Sequence, residues 1–282
     1  MRGAACAIAF CCLSSFAALA EEGPGKERFN LFHPTPESAM REMETDRPDK
    51  TESPITVDAG HFQFEMDFAT YTTDRSKHEK VTAWGIAPVN LKIGVLNNLD
   101  MQLVVETYNM EKTKDRDTGR TARAEGFGDV TVRAKINFWG NDGGPTAFAV
   151  MPFLKLPTAA HDLGNGAVEG GVILPLLFRL PADNELAIEL EVEHARNTQD
   201  RDYHQEIVNA ATFAHDFTKR LAGYVELFSS VSNERHTGWI ATFDCGLTYR
   251  LSPNVQLDTG VNVGLTDAAD DLNPFVGLSV RY

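Results

Sequence analysis

Glu189, Glu191 and Glu193 place three carboxylates at a spacing of two residues. In an extended chain this spacing puts all three on one face. Like charges so placed repel unless cations pair with them or water screens them. Arg133, Lys135 and Arg179 are the candidate partners, and a water-filled passage is the alternative. Carboxylates suit a hard cation, yet no loop carries a calcium-type ligand pattern, and the eight histidines show no metal-ligand spacing. No metal or cofactor is therefore expected. Gly126-Phe127-Gly128 is no phosphate loop, because a strand pattern follows it instead of a helix. A lipid-hydrolysing site would need a serine and a histidine within hydrogen-bond reach. Ser229 and His194 are the candidates, and their spacing does not bring them together. The chain is read as non-enzymatic, with no catalytic residue.

The elements that carry these charges show period two. His61, Gln63, Glu65 and Asp67 alternate with Phe62, Phe64, Met66 and Phe68. Leu186, Ile188, Leu190 and Val192 alternate with the glutamates. Val255, Leu257, Thr259, Val261 and Val263 alternate with Gln256, Asp258, Gly260, Asn262 and Gly264. Each is a strand with one apolar and one wet face. About twelve such segments follow one another, roughly 59–71, 80–95, 99–111, 126–138, 145–157, 167–180, 185–197, 204–217, 221–233, 238–251, 255–266 and 274–282. Their length, near ten residues, is what a tilted strand needs to cross a bilayer. Pro88 and Pro152 interrupt two of them and predict distorted pairing. Tight turns at 97–98, 140–144, 181–184, 218–220 and 252–254 alternate with more polar, mostly longer links. An outer-membrane barrel has this asymmetry, with short periplasmic turns and longer outer loops.

Composition agrees. Mean hydropathy is −0.25, and no run of eighteen apolar residues occurs, so helical spans are excluded; a barrel hides its apolar faces inside the alternation. The net charge of −14 argues against a nucleic-acid partner. Residues 1–20 read as a signal peptide, with Arg2, an apolar run from Ala4 to Phe16, and Ala18-Leu19-Ala20 before the cut after Ala20. Cys6, Cys11 and Cys12 fall in that leader, so Cys245 alone remains and no internal disulfide can form. Residues 21–58 are rich in proline and charge, with one short helix expected from Thr35 as N-cap through Pro36 to about Met43. Residues 59–282 form the barrel. The fold class is all-β, an antiparallel up-and-down transmembrane barrel of about twelve strands.

Several stretches resemble an outer-membrane barrel family labelled putative MetA-pathway of phenol degradation. They are residues 45–54 (Thr45-Asp46-Arg47-Pro48-Asp49-Lys50 through Pro54), Gly126-Phe127-Gly128-Asp129-Val130, Pro152 to Thr158, Glu169-Gly170-Gly171, Leu257 to Thr266 and Ala268 to Phe275. The resemblance runs from about residue 29 to the end. It implies a barrel and a transport role for small solutes, aromatic or apolar ones by pathway association. It assigns no catalytic residue.

In a barrel of twelve strands the polar face turns toward a narrow or partly plugged lumen. Its expected lining is Glu65, Asp67, Asp100, Asp129, Glu169, Glu189, Glu191, Glu193, Asp244 and Asp258, with Lys92, Arg133, Lys135, Lys155, Arg179 and Arg250 as basic partners. These charges make either a selective solute path or a salt-bridged lumen that conducts nothing; residue types do not separate the two. Asp46, Arg47, Asp49 and Lys50 are plug candidates, the alternative being a mobile periplasmic leader. Val276, Leu278, Val280 and terminal Tyr282 share one face, like the signal read by outer-membrane assembly machinery. The expected setting is the bacterial outer membrane, among its lipids. A soluble periplasmic β-protein and a lipid-modifying barrel enzyme are the remaining alternatives.

Overall fold

The computed structural model describes residues 25–160, 163–198, 200–235 and 237–282; residues 1–20, expected to be a signal peptide, lie outside them. A bilayer core offers no water to unpaired peptide groups, so a spanning sheet must close on itself. Twelve antiparallel strands do so: β1 (Phe62–Arg75), β3 (Val89–Leu96), β4 (Leu99–Val105), β7 (Val130–Trp139), β8 (Thr146–Leu156), β9 (Glu169–Leu180), β10 (Asn184–Arg196), β11 (Tyr203–Asp216), β12 (Leu221–Ser232), β13 (Ile240–Ser252), β14 (Val255–Gly264) and β15 (Leu272–Arg281). The ring closes where β15 pairs with β1, with Phe64 opposite Val280 and Met66 opposite Leu278. No described helix is long and apolar enough to cross a membrane; the strands do the crossing.

The exposure pattern is that of a protein turned inside out. Ile188 and Val192 are 41% and 42% exposed, and Glu189 between them is 3% exposed. Apolar residues face outward, and charges are buried in the lumen. One stretch departs from the expected polar lumen face. On β8 and β9 the inward residues Ala147, Ala149, Met151, Ile173 and Leu177 are buried and apolar. Ile55 of the leader packs against Ala147 and Leu177, with Ala187 beside them.

Three further strands, β2 (Glu79–Ile86), β5 (Tyr108–Asp115) and β6 (Thr121–Gly126), extend the wall from β1 in the order β1-β2-β5-β6. β2 and β5 divide the segments expected at 80–95 and 99–111, and β6 precedes the one expected at 126–138. Pro88 has no N–H to donate, and Ala87 before it has φ 53°, so β2 and β3 separate there. The Thr107 hydroxyl donates to the Ala87 carbonyl at 2.9 Å, covering a group the ladder leaves unpaired. The link expected at 112–125 is in large part the β5–β6 hairpin. Pairing between β7 and β8 is likewise interrupted beside Pro152.

The leader does not form the expected helix. Between Thr35 and Met43 the one helical element is a 3-10 turn, Glu37–Ala39, and Pro36 precedes it in extended geometry. A helix of two turns is too short to repay its nucleation, and the wall offers better backbone partners. Thr35 N–H donates to the Ala59 carbonyl at 2.9 Å, and Arg41 N–H donates to the Asp58 carboxylate at 3.0 Å.

Close approach of leader and wall depends on Gly94 of β3. A Cβ there would stand 2.1 Å from the Asp58 carbonyl oxygen. Backbone cannot yield as a side-chain tip can, so Gly94→Ala is expected to cost about 1–3 kcal/mol through overpacking. A lower thermal unfolding midpoint of the folded barrel checks this; an unchanged midpoint contradicts it.

Candidate functional site: a charged lumen threaded by the leader

Strand parity sends Glu65 and Asp67 of β1, Lys92 of β3, Asp100 and Gln102 of β4, and Arg133 and Lys135 of β7 into the lumen. Charges in such a wall are costly unless paired. The leader supplies the missing partners. Asp46 accepts from Lys135 at 2.5 Å and from Lys92, and Lys92 also pairs with Glu65. Asp46 N–H in turn donates to Glu65 at 3.1 Å. Burial alone would raise the Asp46 carboxyl; Lys135 and Lys92 outweigh it and hold the group far below the usual carboxylate range.

The next residues repeat this on the other side of the ring. Arg47 reaches Asp67 at 2.6 Å and Asp258 at 2.7 Å, with its guanidinium over the Phe275 ring. Lys50 reaches Asp244 at 3.1 Å and the Thr242 hydroxyl at 2.8 Å. The Lys50 and Thr51 N–H groups donate to Glu226 at 3.0 and 2.9 Å. Glu52 pairs with Arg133, and its N–H donates to Glu189 at 2.6 Å. Burial and the Glu226 charge push the Asp49 carboxyl well above its usual value. Nearer the turn end Glu44 is raised to about 7, by burial first and then by Glu185, against Arg179 and Lys135.

The three glutamates of β10 therefore have separate surroundings. Glu189 is met by backbone N–H instead of a cation, and Arg133 is taken by the leader. Among the described residues no hydrogen bond or ion pair reaches the carboxylates of Glu191 or Glu193. Arg179 and Arg250 stand at the turn end instead, Arg179 donating to the Gly144 carbonyl at 3.0 Å and Arg250 pairing with Glu42 at 3.2 Å. Neither Arg179 nor Lys135, which is held by Asp46, relieves the glutamates as the sequence suggested. Asp129 and Glu169 lie at the loop end. Asp129 accepts from the Thr158 and Ala159 N–H groups, each at 3.0 Å, and Glu169 pairs with Lys155 and accepts from Arg196 N–H at 2.7 Å. Glu226 was not among the expected lumen residues, although its place between Val225 and Leu227 signals an inward side chain.

The leader leaves space on both sides of its crossing. A cavity of about 150 Å³ lies between residues 43–54 and strands β10 to β14, lined by Ala187, Thr212, Tyr224 and Gln256. Toward the loops are a cavity of about 290 Å³, lined by Lys155, Glu193, His204 and Glu206, and one of about 360 Å³, beside Lys50, Thr242 and Asn262. At the turn end a mouth of about 610 Å³ is lined by Arg41, Asp142, Arg179 and Glu185.

On the outer wall, His194 bonds Gln205 and stacks on Tyr203, and the Ser229 hydroxyl accepts from Trp239 Nε1 at 2.8 Å. Strand β11 separates the two, so they form no nucleophile–base pair. Val276, Leu278, Val280 and Tyr282 lie on the outward side of β15 and its end, with Val276 and Tyr282 exposed.

A family model described as putative MetA-pathway of phenol degradation matches residues 45–282. No curated protein sequence matches. Among solved structures, the COG4313 outer membrane channel from Pseudomonas putida F1 is similar with a TM-score of 0.63 at 11% identity, over 85% of this chain and 100% of that one. The β domain of the Bordetella autotransporter BrkA is similar with a TM-score of 0.51 at 12% identity, over 79% of this chain and 98% of that one. The NanC porin is similar with a TM-score of 0.50 at 10% identity, over 78% and 98%. At these identities the likeness concerns the fold.

Lys135→Met removes one of the two ammonium groups that hold Asp46. Breaking a buried pair in this way costs about 3–5 kcal/mol, so the leader is expected to leave the wall part of the time. Trypsin cleavage after Arg41 or Lys50 in the folded barrel reads this directly. Protection equal to that of the unaltered protein contradicts it.

Proposed function

Since the chain belongs to the family described as putative MetA-pathway of phenol degradation, we propose that it is a passive outer-membrane channel for small solutes, aromatic and apolar ones among them, with the leader as its constriction. Its short-turn end faces the periplasm and its loops face outward, as in other outer-membrane barrels. Val276, Leu278, Val280 and Tyr282 present the assembly signal on the way there. The observation that carries this reading is how the lumen is filled. Side chains from the wall do not fuse into a core. A single extended segment crosses instead, held by ion pairs and backbone hydrogen bonds, with cavities on either side. Contacts of this kind exchange for water one at a time, so small shifts of the segment change the bore. The apolar lining of the cavity beside the leader, Leu177, Ala187, Ala214 and Ala222, gives an apolar solute a surface, and Glu191 and Glu193 set a negative potential toward the loops.

A second reading, a structural barrel that conducts nothing, draws support from the same ion pairs, because Asp46 and Arg47 neutralise much of the wall. Planar-bilayer recording decides between the two. The channel reading expects discrete openings from the folded protein and larger ones from Lys135→Met. Absence of both conductance and solute flux in both proteins removes it.

The raised Glu44 carboxyl makes the recording dependent on pH. A carboxyl whose value in the docked leader exceeds its ordinary 4.5 favours docking fully below that ordinary value. The contribution is lost as pH rises through about 7. Conductance is therefore expected to increase between about pH 5 and pH 8, and Glu44→Gln is expected to flatten that increase. An identical profile for the variant assigns the effect elsewhere.

A further inference from the structure

The sheet extension built by β2, β5 and β6 carries opposite charge on its two faces. A bulge at Phe68 resets the parity of β1, since Asp67 faces Gly277 and Ala69 faces Val276. Ala69, Tyr71, Thr73 and Arg75 are consequently outward. Register carries this face across the extension: Tyr71 opposes Trp84, Arg75 opposes Lys80, Lys80 opposes Lys114, and Lys112 opposes Arg123. The inward face holds Asp74, Glu79, Glu111 and Asp115. The outward face holds Arg75, Lys80, Lys112, Lys114 and Arg123, and one carboxylate, Glu125, a row lower opposite Met110.

Three of these cross-strand pairs set cation directly against cation, on strands about 4.8 Å apart. Such pairs are destabilising without a counter-charge. Among the described residues none of the five cations makes an ion pair, so no described residue supplies one. The next row along the strands is aromatic and apolar. Tyr71 packs on Trp84 with ring centroids 4.8 Å apart, and Trp84, Ile86, Tyr108 and Met110 are exposed on the same side. Aromatic residues at this position mark the membrane interface. The cations therefore stand one to two rows, about 7–14 Å, above that interface, on the side that faces lipid.

We propose that this face docks the phosphate groups of the outer leaflet's glycolipid, the phosphorylated lipid A headgroup, whose acyl chains run down beside Trp84, Ile86 and Tyr108. Lysine and arginine form charge-assisted hydrogen bonds to phosphate, and basic clusters at a membrane edge hold acidic headgroups in the same way. One phosphate between neighbouring strands converts each repelling pair into a bridged one. Height, facing and charge together fit an anion anchored in the membrane. The inference rests on the outer-membrane setting, which heat-modifiable gel mobility of the membrane-extracted protein tests separately, and it holds whether or not the lumen conducts.

The test uses the full chain, freed of lipid in zwitterionic detergent and titrated with bisphosphorylated lipid A, with dephosphorylated lipid A and with inorganic phosphate, bound lipid being counted by native mass spectrometry. The bisphosphorylated form is expected to bind at least about tenfold more tightly than the dephosphorylated one, and K80Q/K112Q/K114Q/R123Q to lose a similar factor. The control Arg201→Gln/Arg235→Gln, on other outer loops, is expected to bind as the unaltered protein does. If the fourfold variant does not assemble, Lys80→Gln/Lys114→Gln and Lys112→Gln/Arg123→Gln carry the same comparison with two cations removed in each. Equal binding of the two lipid forms overturns the proposal, as does full binding by a variant with an intact, heat-modifiable barrel. Displacement of lipid A by an equal concentration of inorganic phosphate also overturns it, in favour of a soluble anion.

Discussion

Lys92 and Lys135 are buried inside a wall whose outer side meets hydrocarbon, and an ammonium in that position needs an opposite charge within reach. Asp46 supplies it to both. Much of the interior follows from this contact. Once Asp46 is drawn to β3 and β7, the residues after it must cross the lumen, and Arg47, Lys50 and Glu52 reach Asp67, Asp258, Asp244 and Arg133 in turn. The ring and its contents are mutually dependent, because a wall with these charges and no leader would hold unpaired ions, and the leader outside the wall has little apolar surface of its own to bury.

Pairing of this type specifies position more than it adds stability, since desolvation offsets most of the Coulombic gain. A segment held by several such contacts is accurately placed, and it can still be loosened one contact at a time. That balance suits a constriction better than a permanent seal. An apolar plug interdigitated with the wall would be displaced only as a whole. Here the buried apolar residues of the leader, Phe29, Met43, Ile55 and Val57, are spread along its length, and only Ile55 joins an apolar cluster of the wall, with Ala147 and Leu177.

Charge is sorted by the same alternation outside the lumen. Where β2, β5 and β6 rise past the aromatic row, period two places acids inward and cations outward, and the outward cations make no ion pair among the described residues. A wall of strands thus presents two electrostatic surfaces a single sheet thickness apart, one toward the lumen and one away from it.

The ring was legible before any coordinates. Period two over some twelve segments, broken at tight turns, leaves one arrangement in which every apolar face meets lipid and every peptide group is paired, and the parity of each strand already told that Glu65, Lys135 or Asp258 points inward. The interruption at Pro88 was legible too, because a residue without an N–H cannot continue a ladder. Who pairs with whom depends on the folded barrel. Arg133 was expected to serve Glu189 to Glu193 and serves Glu52, and Arg179, inward by parity, spends its charge at the turn end, because strand tilt and stagger set the height of each side chain and parity says nothing of height. The expected helix from Thr35 was lost for a related reason: local preference for a helix is weak over two turns, and backbone partners at Asp58 and Ala59, close in sequence yet placed by the barrel wall, outweigh it.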